Sequence, residues 1–159
     1  METKQKCKNK VIVFSEFAQM CKILFIELSE WNPLIIIGET PTEVRHENVE
    51  KFNYDPKYKI LIMSNAGTYG LNLQAASFII NYDLPYSVAK LEQRIGRAHR
   101  VGQTEPVTVY NLICRGTIDE YVSRVLHAKQ KTSVKLLKDF ERLEEKGMSA
   151  DDIKRILRI

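Results

Sequence analysis

Residues 60–82, ILIMSNAGTYGLNLQAASFIINY, hold two short apolar runs around a loop of small and polar residues. Ile60-Leu61-Ile62-Met63 and Phe78-Ile79-Ile80-Asn81-Tyr82 show little alternation of apolar and polar side chains. A strand with one wet face alternates with a period of two, whereas a strand covered on both faces is apolar throughout. Both runs therefore read as buried strands, and Ser64 to Gly70 as the loop leaving the first. Outward from them, Val11-Ile12-Val13-Phe14 and Leu34-Ile35-Ile36-Ile37 are two more runs of the same kind, and Val107 to Leu112 is a fifth strand.

Helical patterns fill the intervals. Phe17, Met20, Cys21, Leu24, Leu28 and Trp31 recur at helical spacing and predict one apolar face. Thr40-Pro41-Thr42-Glu43 fits a capping box, with Thr40 as N-cap and Glu43 reaching back, for a helix to about Phe52. Ser87 caps a helix that ends near Arg97. Thr117-Ile118-Asp119-Glu120 opens a long helix with Ile118, Tyr121, Val122 and Val125 inward. After a polar stretch from Lys129 to Ser133, Leu136, Leu137, Phe140 and Leu143 continue its apolar face. Gly147 is a candidate end, and Ser149 a candidate cap for a short last helix. Strands alternating with helices predict an α/β fold, a mostly parallel sheet with helices on both faces and a C-terminal helical extension. Functional loops in such sheets lie at the carboxyl ends of strands, here after Phe14, Met63 and Tyr82.

The 159 residues fit one domain, and 44% hydrophobic with 28% charged residues argues against disorder. No apolar run is long enough for a membrane-spanning helix, and the polar start is no secretory signal. Cys7, Cys21 and Cys114 form no CxxC pair, and His46 and His99 stand singly, so no metal site is expected. The thiols read as reduced, which places the chain inside the cell, nucleus or cytoplasm being open. The net charge of +4 permits a nucleic-acid partner without requiring one.

The densest chemical signal is Gln93-Arg94-Ile95-Gly96-Arg97-Ala98-His99-Arg100-Val101-Gly102-Gln103. Arg94, Arg97 and Arg100 are three residues apart, so a helical turn gathers them. Guanidinium groups this close repel unless an anion joins them, and their planar forks suit phosphate. Charge alone leaves a second reading open, a solvated basic face paired with Glu92 and Glu105.

QRIGRAHRVGQ resembles the last helicase motif of the Swi/Snf-type ATPases in the second helicase superfamily. Ser64 to Ala76 resembles the motif before it, and VIVFSEF, Val11 to Phe17, the strand-and-loop motif opening the second lobe. The resemblance covers about Val11 to Leu137 and implies a RecA-like C-terminal helicase lobe over 11–137, with 1–10 a polar linker and 138–159 a helical extension. It implies duplex DNA as partner and ATP with Mg²⁺ as cofactor in a complete two-lobe enzyme. The GxxxxGK[ST] loop and the DExH-type quartet do not occur here, and in the resembled family they belong to the first lobe. The chain alone is therefore expected to be inactive, its N-terminal lobe lying elsewhere in the same protein. The alternative is a stand-alone, non-catalytic module that binds nucleic acid or a partner.

The resemblance implies roles residue by residue. Arg97 and Arg100 match the two arginines that reach the γ-phosphate across the cleft. Gln93 matches a residue linking this motif to the nucleotide, whereas Arg94 reads as structural, pairing with a carboxylate. Gly70 and Asn72 match positions near the ribose. Close backbone approach would explain Gly70, and a turn cap would equally explain Asn72. Ser64, Ser15 and Arg45 match contacts to the nucleic-acid backbone. The other reading makes both serines helix caps, and lays the Arg45 stem on apolar surface with its head in water. The family more often has paired glycines and a lysine where this chain has Gly67-Thr68 and Asn65.

Overall fold

The computed structural model describes residues 9–65, 71–99 and 106–145, with the side chains of the last helix described as far as Thr132. Among the described residues β1 (Lys10–Ser15) is the middle strand of a five-stranded sheet. It leads into α1 (Ala18–Glu27), a 3-10 turn (Ser29–Trp31), β2 (Leu34–Ile36), α2 (Thr42–Tyr54) and β3 (Ile60–Ser64). Then come β4 (Ala76–Asn81), α3 (Val88–Ala98), β5 (Thr108–Asn111) and α4 (Ile118–Glu145). The strands lie in the order β2-β3-β1-β4-β5, and every pairing is parallel.

That order explains the apolar runs. Ile12, Phe14, Leu61, Met63 and Ile79 point to one face and pack with Phe52 of α2 and Ala98 of α3. Val13 and Ile62 point to the other and pack with Cys21 of α1. α1 therefore covers one face, and α2 with α3 the opposite one. This is what right-handed crossovers running in opposite directions from a central strand produce. The chain leaves β1 toward β2 on one side and leaves β4 toward β5 on the other. The reversal puts a crevice at the carboxyl ends of β1 and β4, the usual ligand position in open α/β sheets. α4 packs back on α3 through Leu84, Leu91, Val122 and Leu126.

Coverage is uneven on the α1 face. Ile80 packs into the α1 cluster, and its partner in register on β5 is Tyr110. Tyr110 and, beyond the strand end, Leu112 remain exposed, at 52% and 45%.

Several local expectations are corrected. The α1 face is narrower than the spacing predicts. The α-helix ends at Glu27, and the tighter turn that follows swings Trp31 out of line, leaving it as exposed as Phe17. Thr40 does not cap α2. Its hydroxyl turns back to accept the Ile37 N–H at 2.9 Å, and Pro41 takes the cap position with no side-chain bond. Ser87 sits at the start of α3, also without a side-chain cap bond. Thr117 does bind the first turn of α4, accepting the Asp119 N–H at 3.3 Å. Ile118 and Tyr121 point outward, whereas Val122 is buried as expected and packs with Leu126 against α3. α4 runs unbroken through the polar stretch at 129–133, while Gly147 and Ser149 lie outside the described residues.

Candidate functional site

The sheet register brings the carboxyl ends of three strands level. Ser15 of β1 lies opposite Ser64 of β3, and Phe14 opposite Asn81 of β4. Into the crevice between β1 and β4 comes one side chain from α3. The inward stripe of α3 is Leu91, Ile95 and Ala98, and Arg94 lies beside it. Arg94 is only 1% exposed.

A buried guanidinium is tolerated only when its donors are used, and here they are. Nη2 meets Glu16 Oε1 at 2.8 Å and lies 3.8 Å from Asp83 Oδ1. Nη1 donates to Asn81 Oδ1 and to the Asp83 carbonyl, both at 2.9 Å. Nε donates to Asn65 Oδ1 at 2.9 Å, and Asn65 donates in turn to Glu16 Oε1. The fork also lies over the Phe14 ring, 5.4 Å from its centre. Burial pulls the Arg94 pKa below its usual value, while Glu16 and Asp83 push it back up. Behind the crevice, burial and then the charge of Asp83 push the Cys21 thiol up to about 11, so it stays protonated at neutral pH. The carboxylate pairing read for Arg94 is thus present, and the partners are Glu16 and Asp83.

Ser15 belongs to the same network. It is fully buried, donates to Asp83 Oδ2 at 2.5 Å and accepts the Phe17 N–H at 3.1 Å. Its hydrogen is therefore committed inside the lobe.

Other residues have the opposite character. Among the described residues, the buried side-chain polar atoms without a hydrogen-bond partner are Arg45 Nε, Ser64 Oγ, Asn72 Oδ1 and Arg97 Nε. All four residues are ones the sequence marks for ligand contact. Such an atom costs about 1–3 kcal/mol, so native proteins keep few of them, commonly for a functional reason. Arg97 is half-buried one turn beyond Arg94, and its carbonyl accepts the Leu73 N–H at 3.1 Å. The Asn72 carbonyl accepts from Asn53 Nδ2 at 2.9 Å. Ser64 is 3% exposed at the end of β3. Arg45 Nη2 reaches the carbonyls of Thr40 at 3.2 Å and Ile37 at 3.4 Å, which ties the β2–α2 connection together. Gln93 is exposed beside Arg94, while Gly70 and Arg100 lie outside the described residues.

Residues 1–102 match the family model described as the helicase conserved C-terminal domain. This chain is a member of that family. ATP-dependent helicase fft1 of Schizosaccharomyces pombe is 33% identical over 89% of the chain and 15% of its own length. The lymphoid-specific helicase of Homo sapiens is 36% identical over 80% of the chain and 16% of its own length. The crystal structure of the C-terminal part of the Fun30 ATPase domain superposes with a TM-score of 0.68 at 35% identity. That match covers 74% of this chain and 39% of the other, and bears out the RecA-like fold. The helicase lobe therefore has the Swi/Snf-type relatives its motifs predict. It spans less than a fifth of the two curated relatives named. Among the described residues no helix is long and apolar enough to cross a membrane.

Glu16, Asp83, Asn65 and Asn81 are the site residues that sequence reasoning did not assign. Glu16 and Arg94 are 78 residues apart, and no local spacing connects them. The available signal was a carboxylate placed directly after a buried strand, at the level where helicase loops act.

Proposed function

We propose that the chain is the second lobe of a DNA-dependent ATPase, a translocase that moves along duplex DNA. In this reading Arg97 and Arg100 face the γ-phosphate of an ATP held mainly by an N-terminal lobe. That lobe also supplies the magnesium ligands. Gln93, Gly70 and Asn72 lie toward the nucleotide, and Ser64 with Arg45 meets DNA phosphates. Two arginine forks at the γ-phosphate stabilise charge that develops during transfer, and such fingers raise turnover by about 10³–10⁵ in well-measured GTPases. Lobe closure brings them into place, so hydrolysis and movement are linked. Contact with phosphates rather than bases makes binding salt-sensitive and nearly independent of sequence.

The observation that carries this reading is the placement of the four unpartnered polar atoms. They fall on Arg45, Ser64, Asn72 and Arg97, and spare the fully buried Arg94. The names of the relatives, ATP-dependent helicases, agree with it. The test is ATP turnover of the complete two-lobe polypeptide with and without mixed-sequence duplex DNA. Stimulation by DNA in the whole protein, with negligible turnover by this chain alone, is the expected result. Robust DNA-stimulated turnover by the isolated chain would overturn it.

A further inference from the structure

α3 is joined to both sides of the β3–β4 connection. On the β3 side, Arg94 Nε donates to Asn65 Oδ1 at 2.9 Å, and Glu16 closes a triangle by accepting from both residues. On the β4 side, the Leu73 N–H donates to the Arg97 carbonyl at 3.1 Å. The two links leave α3 one turn apart, and Asn65 directly follows Ser64. A shift of Ser64 is therefore delivered to Arg94 through one side-chain bond, and from Arg94 to Arg97 through a rigid helical turn of about 4.5 Å rise.

We infer that Arg94 is a positioning residue that makes Ser64–Asn65 and Arg97 move as one body, so that DNA contact at the end of β3 sets where Arg97 sits. The inference rests on the function proposed above and adds the route by which DNA reaches the ATP site. The fork is essential to it. One guanidinium holds Asn65, Asn81 and Glu16 simultaneously in a plane, and an ammonium, a point charge on a flexible stem, has no such fixed geometry.

Asn65→Ala removes the link to the connection while Arg94 keeps Glu16, Asn81 and Asp83. In this chain alone, amide hydrogen exchange is expected to speed up about fivefold or more at both 71–75 and 95–99. Arg94→Lys is expected to do the same. A change confined to 63–66 would overturn the inference. In the complete enzyme, the ratio of DNA-stimulated to unstimulated turnover is expected to fall about tenfold in Asn65→Ala, with KM for ATP moving less than twofold. The pair Glu16→Gln with Asn65→Asp should restore at least half of the ratio. The new carboxylate can accept from Arg94 Nε and from the new amide. An unchanged ratio, or equal loss of stimulated and unstimulated turnover, would reduce Arg94 to a purely structural role. If the parent enzyme shows no DNA stimulation, the proposed function falls, and the exchange result on the isolated chain decides the positioning role independently.

Discussion

Arg94 and Arg97 lie one helical turn apart, yet their surroundings are opposite. Arg94 is sealed in the crevice between β1 and β4, with carboxylates, amides and a carbonyl on its donors. Arg97 is half-buried with an Nε that bonds nothing among the described residues. The first environment stores stability, and the second leaves binding capacity unspent. In many open α/β sheets the crevice takes the ligand. Here the chain fills it with its own arginine, and the unsatisfied atoms belong to other residues.

The largest effect should come from emptying the centre. Arg94→Ala leaves Glu16 and Asp83 without their buried counter-charge and is expected to lower stability by about 3–5 kcal/mol, read by denaturant unfolding of the chain. A loss below about 1 kcal/mol would mean that water screens the crevice and the contrast is false.

Next comes the second arginine. Arg97→Ala in the complete enzyme should lower ATP turnover by about 10²-fold or more while its melting temperature stays nearly fixed. Lysine there should rescue poorly, because it lacks the fork. Parallel losses of melting temperature and turnover would make Arg97 a second Arg94.

Ser64→Ala sharpens the comparison on a smaller scale. It removes an unpartnered buried hydroxyl, so the chain should be as stable as the parent or up to about 1 kcal/mol more stable. DNA binding by the complete enzyme should weaken at the same time. A clear loss of stability would show that the hydroxyl already has an internal role.

The smallest shift is expected for Arg45→Ala. The slope of log affinity against log salt should become shallower by about 0.9, the share of one phosphate on duplex DNA. An unchanged slope would confine Arg45 to its bonds with the Thr40 and Ile37 carbonyls.

The sheet was legible because its strands are apolar at almost every position, as at Ile60 to Met63, and that pattern has one main physical cause. The helices were legible where their buried stripe is deep, and misjudged at their ends. Trp31 follows the helical spacing, but the turn changes pitch before reaching it. Thr40 carries a capping signature, but the Ile37 N–H claims its hydroxyl. At the site, the arginine cluster was visible as a motif, and the division of labour within it was not. What separates Arg94 from Arg97 is Glu16, Asn65 and Asp83, which arrive from three different strand ends. Long-range pairing leaves no period in a sequence.

Tyr110 and Leu112, left bare beside β5, bear on how the purified chain is expected to behave in a tube. Among the described residues β5 ends the row of strands, so an uncovered edge and two exposed apolar side chains lie side by side. Such a combination recruits other copies edge to edge. Salts that strengthen apolar association, such as sulfate, are expected to lower the solubility of the chain, read as light scattering against concentration. Two charged residues at these positions would yield a preparation that keeps the site unaltered and tolerates the concentrations that spectroscopy demands.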